Sequence, residues 1–143
     1  MTIQSVDVLY TAVATAENGR DGRVASDDGK LDVVVNPPKE LGGNGAGTNP
    51  EQLFAAGYSA CFQGALGMVA KKEGVDASAS TVEIAVGFGP EGDSFAITAD
   101  ITATIPGVDD ETAQRLVETA HQVCPYSKAT RGNVPVTLTP VAA

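Results

Sequence analysis

The sequence predicts an α+β fold, in the order βββ-α-ββ-α-β, over a single domain of residues 1–143. Apolar and β-branched runs cluster before residue 36, between 82 and 105, and once more after 134, instead of alternating singly with helices as a doubly wound sheet requires. Two segments between those clusters carry apolar residues at helical spacing. No internal repeat subdivides the chain, and 143 residues can bury a core without disulfide staples.

Taken in order, Val6 to Thr15 reads as the first strand. Asn18, Gly19, Asp21 and Gly22 supply a turn into Arg23 to Ser26, a hairpin with Arg20 at its tip. Asp27, Asp28 and Gly29 turn again into Leu31 to Val35, which Pro37 and Pro38 end. The following LGGNGAG, Leu41 to Gly47, favours neither helix nor strand and reads as an irregular loop. Its glycines do not make a phosphate loop, because Thr48, Asn49 and Pro50 stand where the Lys and Ser or Thr of that motif belong.

The chain is organised around the next helix, Asn49 to Lys72. Asn49 is a good N-cap with Pro50 at the first helical position and Gln52 three residues on, and Thr48 with Glu51 offers the same box one residue earlier. Leu53, Gly57, Ala60, Cys61, Gly64 and Met68 fall on one face, which predicts a tightly packed stripe of small residues carrying a thiol. Val82 to Phe88 and Phe95 to Ile105 then form a second hairpin around Gly89 to Asp93. Asp109, Asp110 and Glu111 put negative charge at the start of a second helix, whose buried face is Ala113, Leu116, Val117, Ala120 and Cys124 and which Pro125 stops. Val134 to Thr139 is the last strand.

A net charge of −9 argues against nucleic acid or anionic lipid as partners. No N-terminal charged-then-apolar segment resembles a signal peptide, and Gly, Gln and Glu break the long helix, so no membrane span is expected and the default location is the cytoplasm. In that reducing compartment two cysteines are more often catalytic, redox-sensing or inert than a lasting disulfide.

A cysteine on an apolar helix face is ordinarily a small hydrophobe. The segment HQVCPYSKATRGN gives reason to look further. Its CPYS is similar to the Cys-Pro-Tyr-Cys of glutaredoxins, but there the motif follows the first strand and opens a helix, whereas Cys124 lies late in the chain. His121 stands one turn before Cys124, so a Cys/His nucleophile pair or a metal site is conceivable, yet two Cys and one His are too few to close a zinc site. An exposed polar helix residue is the plainer reading of His121. Arg20 as a solvated turn residue, Glu51 as a helix cap, and Phe54 and Tyr126 as packing are the corresponding plain readings.

Three segments bear a closer likeness: GRDG at Gly19 to Gly22, GTNPEQLFAAGYSACF at Gly47 to Phe62, and HQVCPYS with ATRGN between His121 and Asn133. Together they resemble the organic hydroperoxide resistance (Ohr) proteins of the OsmC superfamily, in order along nearly the whole chain. Lys128 departs from that pattern, where Asn is more usual. The resemblance implies antiparallel sheets wrapped around central helices in an intertwined homodimer. It also implies a cysteine-based peroxidase for organic, including fatty-acid, hydroperoxides, with no metal or tightly bound cofactor and with a lipoylated protein as reductant. Carried over by residue, Cys61 is the peroxidatic nucleophile, Cys124 the resolving thiol, and Arg20 and Glu51 the pair that activates Cys61. A non-catalytic redox sensor or ligand-binding module using the same thiols is the alternative.

Overall fold

Asn18 and Gly19 fold the chain back with φ of 60° and 57°, a left-handed pair that suits the right-handed twist of two flanking strands. This hairpin begins a computed structural model that describes residues 2–143 and divides into two compact units, Met1–Leu53 and Phe54–Ala143. In the first unit β1 (Ala14–Glu17), β2 (Gly22–Ser26) and β3 (Asp32–Val35) pair antiparallel in that order. The strand expected over Val6 to Thr15 is reduced to its last two residues. Among the described residues no strand lies beside 6–13, where Val6, Val8, Leu9 and Tyr10 stay exposed, and an unpaired strand gains nothing over water for its backbone groups.

After β3 one 3-10 turn, Lys39–Leu41, leads into the irregular loop expected over Leu41 to Gly47. The chain then returns beside β3, where Thr48 N–H donates to Val34 O and Asn36 N–H to Thr48 O, both at 2.9 Å. Helix α1 (Pro50–Lys72) starts as its sequence requires. The Asn49 side chain accepts from Gln52 N–H at 2.9 Å, and Thr48 Oγ1 donates to Gln52 Oε1 at 2.7 Å.

In the second unit β4 (Thr81–Glu91), β5 (Ser94–Ile105) and β6 (Val136–Ala142) form one sheet in that order, with α2 (Asp110–Val123) and α3 (Pro125–Thr130) between β5 and β6. The β4–β5 hairpin closes more tightly than expected, leaving Gly92 and Asp93 as its loop. Pro90 and Pro140 are tolerated because β4 and β6 are the edge strands. The expected all-antiparallel arrangement fails at β6, which pairs parallel to β5. A crossover through two helices returns the chain to the end of the sheet from which β5 started, and parallel pairing follows.

The buried face of α1 also differs from the expected one. Tyr58, Phe62, Ala65, Leu66, Val69 and Ala70 are buried, whereas Ala60, Gly64 and Met68 are exposed. Burial follows apolar area, and the large side chains outweigh a stripe of Gly and Ala. By length and composition α1 is, contrary to expectation, apolar enough to cross a bilayer, with a window of mean hydropathy 1.3. Its buried stripe instead joins Ile84, Ile101, Ile105, Leu116 and Val117 in the core of the second unit.

Helix α2 matches expectation in its buried residues, Ala113, Leu116, Val117, Ala120 and Cys124; Asp109, expected only as negative charge at its start, also caps it by accepting from Thr112 N–H at 2.8 Å. The short α3 was not expected. Pro125 ends α2, but its fixed φ and missing N–H suit the first position of a new helix.

Candidate active site

Cys124 occupies the joint between α2 and α3, with φ −61° and ψ 123°. Pro125 disfavours helical conformation in the residue before it, and this one extended residue turns the chain without losing backbone partners. Cys124 N–H donates to Ala120 O at 2.8 Å, and Cys124 O accepts from Lys128 N–H at 2.9 Å. The joint directs the fully buried Cys124 side chain at half-buried Cys61 on α1. Both thiols are free, and the Cys124 S–H donates toward Cys61 Sγ at 3.6 Å. Burial pushes the Cys61 thiol above its ordinary pKa; the backbone N–H of Tyr126 opposes that shift and the Cys124 sulfur adds to it.

Gly57 makes room for α3. A Cβ there would stand 2.8 Å from the Tyr126 hydroxyl, so glycine lets the Tyr126 ring lie against α1. Phe54, Tyr58 and Tyr126 form an aromatic cluster with centroids 5.6 to 6.1 Å apart, in the packing role read from the sequence for Phe54 and Tyr126.

His121 is not the exposed polar residue expected. It is half-buried, with Nδ1 2.8 Å from Ser127 Oγ. Burial, helped by the Arg131 charge, holds its pKa below the usual histidine range. Ser127 Oγ in turn lies 2.8 Å from the Tyr58 hydroxyl, which reaches Thr130 Oγ1 at 3.2 Å. Sequence reasoning missed Tyr58, Ser127 and Thr130. Their signal is faint: two hydroxyl residues three apart in a segment that follows a helix-stopping proline. Among the described residues no three His, Cys, Asp or Glu side chains group as metal ligands.

Arg20 and Glu51 belong to the first unit, and there they meet. Arg20 Nη2 lies 2.9 Å from Glu51 Oε1 and Nη1 3.2 Å from Oε2, a forked pair. Burial pushes the Glu51 carboxyl up, but the Arg20 hydrogen bonds and charge outweigh it and leave the pKa below the carboxylate range. The pair is therefore ionised at neutral pH and opens only in acid. The GRDG turn carries Arg20: Asn18 Nδ2 donates to Asp21 O, Asn36 Nδ2 to Asp21 Oδ1, both at 2.7 Å. At Gly22 any Cβ would sit 2.0 Å from Glu17 O.

Comparison with known proteins places the chain in a family. Residues 42–139 match the family of OsmC-like proteins. An organic hydroperoxide resistance protein of Xanthomonas axonopodis pv. citri is 52% identical over 134 residues, 92% of this chain and 94% of that one. The crystal structure of an organic hydroperoxide resistance protein from Elizabethkingia anophelis superimposes with a TM-score of 0.91 at 51% identity, covering 96% of this chain and 100% of that one. That of OhrB, the organic hydroperoxide resistance protein of Bacillus subtilis, gives 0.85 at 46% identity, covering 95% and 100%.

Proposed function

The chain belongs to the OsmC-like family, among the organic hydroperoxide resistance proteins, and from that premise we propose that it is a cytoplasmic thiol peroxidase reducing organic hydroperoxides, including those of fatty acids, to alcohols. The observation that carries the reading is the pair of free thiols 3.6 Å apart, one buried and one half-buried. Cys61 thiolate attacks the distal peroxide oxygen; an S–O bond forms, the O–O bond breaks, and the alkoxide leaves and takes a proton as the alcohol. The Cys124 sulfur then attacks the sulfenic sulfur, an S–S bond forms, and hydroxide departs as water with the Cys124 proton. The sulfurs need close by only about 1.5 Å to reach bonding distance. A dithiol, for which a lipoylated protein is the proposed source, exchanges with the disulfide and restores both thiols. No tightly bound cofactor enters the cycle.

Arg20 and Glu51 are assigned to activating Cys61 in an intertwined homodimer, in which each site is shared between two chains. Val6, Val8, Leu9, Tyr10, Val34, Met68 and Phe95 are exposed, and β1 has no buried residue, which suits elements that a second chain covers.

Turnover of cumene hydroperoxide with dihydrolipoamide tests the reading. A redox sensor would consume one equivalent per chain and stop, whereas a peroxidase continues. Intact mass after peroxide separates the thiols: Cys61→Ser should take up no oxygen, and Cys124→Ser should form the sulfenic acid and go on to sulfinic and sulfonic acids. A Cys124→Ser protein that cycled normally without those adducts would remove Cys124 from the mechanism.

A further inference from the structure

Four polar groups around α3 make four contacts, and one of them fixes the direction of the rest. Thr130 Oγ1 lies 3.1 Å from Ser127 O, and a carbonyl only accepts, so the Thr130 hydroxyl proton is committed there. Thr130 Oγ1 must therefore accept in its contact with Tyr58, and Tyr58 O–H donates to it at 3.2 Å. Having spent its one proton, the Tyr58 oxygen accepts from Ser127 O–H at 2.8 Å. Ser127 Oγ, likewise spent, accepts from His121 Nδ1–H at 2.8 Å. All four contacts are satisfied only with a proton on Nδ1. The other neutral tautomer leaves three protons for four contacts, inside a region where Tyr58 and Ser127 are fully buried and Thr130 nearly so.

The chain joins three helices: His121 on α2, Tyr58 on α1, and Ser127 and Thr130 on α3. Its anchor points flank Cys124, which lies three residues from both His121 and Ser127, and Tyr58 is three residues from Cys61 on α1. We propose that His121 is a positioning residue for disulfide closure, holding α3 and with it the Cys124 sulfur at its 3.6 Å separation from Cys61 by a one-way hydrogen-bond chain through Ser127, Tyr58 and Thr130. The proposal rests on the thiol-peroxidase reading. It adds a residue that touches neither peroxide nor sulfur. Because the donor is Nδ1–H, the neutral imidazole and the imidazolium serve equally.

His121 is the chain's one histidine, so nitrogen NMR of labelled imidazole in the reduced protein reads the tautomer directly. Above the titration of the ring, Nδ1 should carry the proton; a ring protonated at Nε2 instead overturns the chain. The second arm compares His121→Asn, whose amide keeps a donor near the Nδ1 position, with His121→Leu, which has none. Rapid mixing with cumene hydroperoxide and acid-quenched mass spectrometry give the rates of sulfenic acid formation and of disulfide closure. In His121→Leu the ratio of closure to oxidation should fall by about tenfold, the scale of one lost buried hydrogen bond. His121→Asn should recover most of it. An unchanged ratio in His121→Leu, or an Asn variant as slow as the Leu variant at equal melting temperature, overturns the proposal. A wild-type protein that forms neither sulfenic acid nor disulfide fails differently: it removes the peroxidase reading itself, and with it any role in closure.

Discussion

A thiol that burial pushes toward its neutral form is a weak nucleophile near pH 7, and a fixed cation is the remedy available to a protein that must bury it. Arg20 can be that cation because its fork is already oriented by Glu51. Arg20→Ala should raise the Cys61 pKa further and slow peroxide attack at neutral pH by at least about tenfold, roughly 1.4 kcal/mol in the barrier. The sign fixes the shape of the profile: the lost rate should return as pH rises and the thiolate forms unaided. Thiolate absorbance titration and rapid-mixing oxidation measure both, and an unchanged pKa and rate would leave Arg20 a turn residue. Arg20→Lys should rescue poorly, since an ammonium lacks the fork. Glu51→Ala should slow attack by freeing the arginine, with no rise in thiol pKa. The meetings of Arg20 with Glu51 and of Cys61 with Cys124 were legible because all four residues lie in the motifs that carry the family resemblance. The hydroxyl chain was not, since its Tyr58–Ser127 link joins residues 69 apart in sequence and ordinary in type.

At the scale of elements, the α2–α3 joint decides where the second sulfur points. Pro125 is what keeps Cys124 extended. Pro125→Ala should let α2 run on into α3, rotate the Cys124 side chain away from α1 and slow disulfide closure several-fold. Stability should change by no more than about 1 kcal/mol, because a helix-favouring residue replaces a helix breaker at a boundary. Quenched mass spectrometry would detect the slower closure as accumulated sulfenic and sulfinic acid, and a closure rate equal to wild type would show that the joint is held by its packing alone. Element types were readable from periodicity and punctuation, as α2 and its acidic first turn attest. Two errors share a cause, which is that local pattern carries no knowledge of neighbours. Residues 6–13 have strand composition without a partner strand among the described residues, and the small stripe of α1 lost its expected burial to Tyr58, Phe62 and Leu66.

For the whole molecule the testable statement is that each catalytic site needs two chains. Sedimentation should show a dimer at micromolar concentration; a stable, active monomer would contradict it. A stricter test co-expresses Arg20→Ala with Cys61→Ser. Each parent is impaired, but in the mixed dimer the intact Arg20 of one chain meets the intact Cys61 of the other, so each mixed dimer should regain about half the activity of a wild-type dimer on the shared-site arrangement. Sites confined to single chains would gain nothing from mixing. The order of synthesis has a further consequence. Helix α2 packs chiefly against β6, and β6, the last strand, is held to the end of the sheet by the hydrogen bonds between Ala143 and the 105–107 segment. Synthesis delivers Cys61 well before Cys124 and before the strand on which α2 settles. The nascent chain thus carries its nucleophile for a time without a seated resolving thiol, and in a cell under peroxide stress that interval is when irreversible over-oxidation of newly made protein should concentrate.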